Sequence, residues 1–286
     1  MWRSWKIGSA FGIGIYVHVT FLLVPLWVLF STWGMGGLAM GAFLLALVGA
    51  VFGCVVLHEL GHALMARHFG IRTRDITLYP IGGVARLERM SEQPLEEFLI
   101  AVAGPAVNVV IAGILAAVLG LAGFGLGLDA VGDSLVGSFL TNLLLSNVIL
   151  VGFNLIPAFP MDGGRVLRAL LSLKLGHLRA TEVAANVGAV MAVLIGLSFF
   201  LLHNPMLFLV ALFVFFAGQQ EVAALRRREA ARLEEPADVL PVRPRALAEP
   251  VPADPGFTGF VWDPRFRGWV FWHNGRPFAA YPSRPE

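Results

Sequence analysis

The sequence predicts an all-α polytopic membrane protein, and three observations predict it. Hydrophobic residues make up 57% of the chain and charged residues only 14%, a balance outside the range of soluble globular domains. Uninterrupted apolar runs recur, each long enough to cross about 30 Å of hydrocarbon. Basic residues gather beside alternate connections between those runs and form no single patch. With a net charge of only +2, that distribution also argues against a nucleic-acid-binding surface.

Taken in order, the runs predict about six transmembrane helices, near residues 15–34, 36–66, 94–124, 134–157, 183–202 and 205–224. The second exceeds one bilayer crossing, so it is expected to tilt or to extend into the cytoplasm. Arg3 and Lys6 precede the first run, and Arg67, Arg72, Arg74, Arg86 and Arg89 follow the second. Arg165, Arg168, Lys174 and Arg179 separate the fourth from the fifth, and Arg226, Arg227, Arg228 and Arg232 follow the sixth. The remaining connections carry no Lys or Arg, only Asp129 and Asp133. Positive residues stay inside, so both termini are expected in the cytoplasm. Residues Met1–Gly14 lack the apolar core of a cleavable signal. Arginine outnumbers lysine 19 to 2, which hints at a GC-rich genome and a bacterial plasma membrane.

Three stretches depart from long helices. Asp75 to Leu87 is too short and too glycine-rich for a span, and its partial alternation predicts a re-entrant β-hairpin-like loop. Residues 226–255 read as a basic, then Pro-rich, cytoplasmic linker after a 1–225 membrane core. Residues 256–286 form a small aromatic-rich tail, in which Asn274-Gly275 predicts the turn of a β-hairpin. Docking on the membrane face, pairing with another subunit and recognition of a partner all fit that tail.

The chemistry begins in the second run, at Cys54-Val-Val-Leu-His58-Glu59-Leu-Gly-His62. Histidines four residues apart share a helical face, so their ring nitrogens can converge on one metal ion. The glutamate beside the first histidine is placed to take a proton from water. Ionisable groups at membrane depth cost several kcal/mol, so such a cluster reads as functional. Cys54, the single cysteine, cannot form an intrachain disulfide and reads as a small buried side chain. A catalytic zinc site keeps three protein ligands, and the third candidate is Asp162 in Asn154-Leu-Ile-Pro157-Ala-Phe-Pro160-Met-Asp162-Gly163-Gly164-Arg165. Two prolines end the fourth run just before this aspartate, and two glycines free the backbone just after it. One zinc dication, one aspartate and one glutamate sum to zero charge. Asn142, Ser146, Asn147 and Asn154 form a polar stripe along the fourth run, suited to a hydrated path or to interhelical hydrogen bonds, and Asn108 carries the same two readings.

HExxH in a transmembrane helix, followed by NxxPxxPxDGG at the end of a later one, resembles the site-2 protease family of intramembrane zinc metalloproteases, peptidase family M50. The likeness covers roughly residues 10–225 and includes Gly14-Ile-Tyr-Val-His18-Val-Thr-Phe, Pro80-Ile-Gly82-Gly83-Val-Ala and Gly104-Pro105-Ala-Val-Asn108. It implies that His58, His62 and Asp162 bind one Zn2+, that Glu59 is the catalytic base, and that Asn154 holds the substrate or the developing oxyanion. Gly82, Gly83, Asn108 and Pro157 are assigned to substrate binding, with the hairpin's edge pairing to an unwound transmembrane substrate. The expected partners are a transmembrane protein substrate, the lipid bilayer and a regulatory membrane partner or second copy. No PDZ insertion separates the two signatures, and the tail is too short for paired CBS modules, so the chain resembles the six-span branch without either. A polytopic metal-ion transporter and an inactive membrane scaffold are the alternative readings; neither needs a glutamate base beside the first histidine.

Overall fold

The computed structural model describes residues 4–33, 37–91, 93–123, 134–234, 240–241, 256–263 and 268–282. It divides into two compact units, Met1–Leu225 and Arg226–Glu286.

The first unit opens with strands β1 (Ser4–Ala10) and β2 (Ile13–His18), joined by Phe11 and Gly12, both at positive φ as a two-residue hairpin turn requires. A 3-10 turn (Val19–Leu22) leads into the short helix α1 (Leu23–Thr32). The helix expected over 15–34 is therefore replaced by strand, turn and a 10-residue helix, too short to cross 30 Å alone. The reason is local: Ile13, Ile15 and Val17 alternate with smaller or polar neighbours, and β-branched residues pack well on a pleated surface. This segment still runs the length of the next helix, α2 (Gly37–His68). Ile13 packs on Leu60 and Ala63, the Phe21 ring meets Phe52 edge-on at 4.6 Å, and Thr32 lies against Gly41.

After α2 come β3 (Thr73–Tyr79) and β4 (Gly82–Leu87), an antiparallel hairpin. β3 also pairs parallel to β2, giving a four-stranded sheet in the order β1-β2-β3-β4 with β4 at an edge. Buried Ile76 of β3 seats this sheet on Leu60 and Ala63 of α2. The expected hairpin is thus one half of a larger sheet whose other half the apolar N-terminus had hidden.

Four further helices complete the unit: α3 (Pro94–Leu121), α4 (Leu135–Asn154), α5 (Asp162–Leu175) and α6 (His177–Leu202), followed by α7 (Pro205–Glu234). By length and composition α2, α3, α4, α6 and residues Leu207–Arg227 of α7 could each cross a membrane, five helices among the described residues. α5 is shorter and amphipathic, with Arg165 and Arg168 within its first two turns. The turn between α4 and α5 is pinned from two sides. Ala158 and Met161 pack on Ala192 and Val214, while Phe159 packs on Ala184, Ala185 and Val222. α7 continues past residue 224, so the basic part of the expected linker is helical; residues 235–239 and 242–255 and the loop with Asp129 and Asp133 lie outside the described residues.

In the second unit, β7 (Gly268–His273) and β8 (Arg276–Pro282) form the expected hairpin, with Asn274 and Gly275 at positive φ. Strands β5 (Leu240–Pro241) and β6 (Gly259–Asp263) extend it to a four-stranded antiparallel sheet, ordered β5-β8-β7-β6.

Candidate metal centre

The geometry starts from α2. His58 and His62, one turn apart, are both buried, and their Nε2 atoms lie 3.0 Å from each other. Asp162, the first residue of α5, brings Oδ2 to 3.2 Å from His58 Nε2 and 3.1 Å from His62 Nε2. His58 Nδ1 donates to Asn108 Oδ1 at 2.8 Å, and His62 Nδ1 donates to the Ile100 carbonyl at 2.7 Å. With both Nδ1 protons so engaged, each Nε2 presents a lone pair toward its neighbour and toward a carboxylate oxygen. Three acceptors at mutual contact, nearly dry, repel one another unless a cation sits among them. Two imidazoles and one carboxylate suit zinc, so the donor set fits the metal that the sequence implies.

Neighbouring helices make this convergence possible. A Cβ on Gly104 of α3 would collide with His62 Nε2 and stand 2.7 Å from His58 Nε2, so only glycine lets α3 pass the imidazoles this closely. Next to it, Pro105 lacks the N–H that would close this turn of α3, in the stretch where the Ile100 carbonyl accepts from His62. On α5, a Cβ at Gly163 would strike the Leu155 and Ile156 carbonyls, so the glycine permits the tight return that delivers Asp162. Behind His58 the hydrogen bonds continue. Asn108 Nδ2 donates to Asn147 Oδ1 at 3.0 Å, and Asn147 Nδ2 reaches Cys54 Sγ at 3.4 Å.

Glu59 reaches into a cavity of about 360 Å³ that His58, His62 and Asp162 also line, together with Gly83, Val84 and Asn154. Its Oε2 accepts from the Ala85 N–H of β4 at 3.1 Å, and a Cβ on Gly83 would lie 2.7 Å from its Cγ. The edge strand therefore lies directly on the glutamate.

Of the residues expected at the site, His58, His62 and Asp162 meet, and Glu59, Gly82, Gly83 and Asn154 line one cavity with them. Two residues assigned to substrate binding lie elsewhere. Asn108 is wholly buried behind His58 and hydrogen-bonds to its ring, outside the cavity lining. Pro157 lies in the turn between α4 and α5 outside the cavity, which Pro160 lines instead. Cys54 is buried one turn from His58 and faces Asn147, apart from the metal donors. Sequence reading missed the Ile100 carbonyl, since a backbone acceptor leaves no side-chain signature. It also missed an ion triad: buried Arg168 of α5 donates to Glu97 of α3 at 2.7 Å and to Glu221 of α7 at 2.7 Å, with its guanidinium 5.0 Å from the Phe159 ring. Glu97 and Glu221, at the ends of long apolar runs, were the available signal.

Helices of membrane-spanning length around a buried His-His-Asp donor set with an adjacent glutamate define a membrane-embedded metalloprotein. The sequence matches peptidase family M50 over residues 45–134 and 129–195. It is 37% identical to a zinc metalloprotease of Methanocaldococcus jannaschii over 218 residues, 76% of this chain and 60% of that one. It is 27% identical to stage IV sporulation protein FB of Bacillus subtilis over 143 residues, 50% of this chain and 46% of that one. Among solved structures, a site-2 protease from Methanocaldococcus jannaschii superposes with a TM-score of 0.56 at 39% identity, covering 77% of this chain and 95% of that one. The chain belongs to peptidase family M50, the site-2 proteases. It spans about half to two thirds of the length of the relatives it matches.

Proposed function

We propose that the chain is an intramembrane zinc metalloendopeptidase that hydrolyses peptide bonds within or near transmembrane segments of membrane-protein substrates. The observation that carries this reading is a glutamate held between a three-donor metal cluster and an edge strand, in one cavity. Zinc held by His58, His62 and Asp162 would supply Lewis acidity toward the scissile carbonyl and toward water.

The chain's own residues supply the rest. Glu59 accepts the proton of the attacking water at its carboxylate and returns it to the departing amine. The Ala85 N–H keeps that carboxylate oriented before substrate arrives. β4 presents backbone groups along its outer edge, so an unwound substrate segment can add to the sheet there beside Glu59. Asn154, at the end of α4 on the cavity wall, is placed to donate its amide to substrate or to the developing oxyanion. Asn108 and the Ile100 carbonyl hold the imidazoles in the tautomer that binds metal.

The wider reading places one zinc per chain in a bacterial plasma membrane, with both termini cytoplasmic as the arginine distribution suggests. Cleavage there would release a cytoplasmic domain, as in regulated intramembrane proteolysis, under a regulatory membrane partner or in a homo-oligomer. The test is Glu59→Gln in purified protein: zinc content stays equal to wild type, while cleavage of a panel of single-span substrates falls by about 10²–10⁴-fold. Equal cleavage by both proteins would overturn the assignment, and metal in both without cleavage would favour a transporter. Replacing Gly82 and Gly83 with Pro should stop cleavage and leave zinc bound; unchanged cleavage would remove β4 from substrate binding.

A further inference from the structure

The C-terminal sheet carries a face that neither the metal site nor the proposed activity uses. Along β6, Phe260 and Trp262 are exposed, while Val261 between them is half-buried and Asp263 is buried. Cross-strand register puts Phe271 opposite Phe260 and Trp269 opposite Trp262, and Tyr281 of β8 opposite Trp269. All five rings therefore stand on one face. Phe260 lies 4.9 Å from Phe271 and 5.6 Å from Tyr281, and Trp262 lies 5.5 Å from Trp269. Phe278, at a bulge in β8, extends the patch with its ring 6.4 Å from Phe271. The rings remain open even so: Phe260 is 56% exposed, Trp269 50% and Phe278 70%, against 1% for Val270 on the other face. A continuous aromatic surface of this kind is uncommon on a small soluble unit unless something covers it.

We infer that this face is a membrane-surface anchor, seated in the headgroup region of an anionic bilayer. Reach is the first argument. Only residues 235–239 separate the end of α7 from β5, whose Leu240 and Pro241 pair with Ala280 and Ala279 of β8. Those few residues extend at most about 20 Å. The apolar run of α7 ends at Arg227, seven residues before Glu234, or about 10 Å along the helix. The tether thus limits β5 to within about 30 Å of the bilayer surface.

Composition is the second argument. Trp, Tyr and Phe are the side chains that settle at the water–hydrocarbon boundary, with rings in the apolar layer and polar edges in the headgroups. Charge is the third. At one end of the same face His273 stands opposite Arg276, and both are exposed. Residues 256–286 hold four arginines against two acidic side chains, a surplus that an anionic leaflet attracts at about 1 kcal/mol per arginine. A Pro-rich peptide of another molecule or a single-stranded nucleic acid could also stack on such rings, but neither is held near the sheet as the membrane is by α7.

The test uses full-length protein carrying Cys54→Ser and Phe260→Cys, labelled with an environment-sensitive fluorophore and reconstituted into phosphatidylglycerol–phosphatidylethanolamine vesicles. The emission should shift to the blue, and lipids with a nitroxide high on the acyl chain should quench it by about twofold. Adding Trp262→Gln and Trp269→Gln should abolish quenching. Arg276→Glu, a milder surface change, should weaken it in anionic vesicles and not in phosphatidylcholine. Emission typical of water in wild-type background would overturn the anchor. So would a blue shift that lipid nitroxides fail to quench, since protein would then cover the face. Release of quenching by a Pro-rich peptide or by RNA would assign the face to that partner instead. None of these readings depends on zinc or on cleavage, so the proposed proteolysis and this anchor stand or fall separately.

Discussion

At the residue scale, the centre is a problem in lone pairs. His58, His62 and Asp162 bring three acceptor atoms within 3.2 Å of one another, and the protein tolerates this because the proton of each imidazole is held elsewhere. Asn108 is the more replaceable of the two holders, since the other is a backbone carbonyl. Asn108→Ala should weaken zinc binding about 10–100-fold, measured by competition with a chromogenic chelator, while Asn147→Ala, one step further out, should do less. An affinity for zinc unchanged in Asn108→Ala would mean that the His58 tautomer needs no such support. The four residues proposed to carry chemistry were legible in the sequence because helical spacing and a proline-glycine turn leave side-chain patterns. Those that only orient were less so. Asn108 was visible as a polar residue in an apolar run, open to interhelical hydrogen bonding, a hydrated path or substrate contact, and a carbonyl on Ile100 has no pattern at all.

At the element scale, three helices are joined where membrane packing alone would leave them loosely related. Arg168 on α5 bonds to Glu97 on α3 and Glu221 on α7, and so fixes α5 six residues after Asp162 against the helix that carries Gly104 and Asn108. Removing one member of a buried ion group leaves the others unpaired. Arg168→Ala should therefore destabilise the folded protein by about 3–5 kcal/mol, read from unfolding in mixed detergent and SDS, and Glu97→Gln in that background should restore part of the loss. A cost near zero would make the triad incidental. The largest misreading also belongs to this scale. Residues 15–34 looked like a span because hydropathy counts apolar side chains and ignores their period, and Ile15 and Val17 belong to a strand. Helices α2, α3, α4 and α6 were legible because a long apolar run admits little else.

At the scale of the whole molecule, the site is assembled from parts of the chain far apart in sequence. The histidines and the proposed base come from α2, their supports from α3, and the third candidate donor arrives 100 residues after His62. A fragment ending at residue 134 should therefore hold zinc too weakly to survive dialysis, and co-expression of residues 135–286 should restore both metal and cleavage; stable zinc in the first fragment alone would refute the three-donor site. That separation also sets an order of events during synthesis. While the ribosome is still making α3, His58, Glu59 and His62 have already been made, beside whatever helices share the insertion machinery. Without Asp162 this nascent chain has two donors and no closed cavity. On the proposed reading, the membrane is spared a cutting edge until residue 162 has been made.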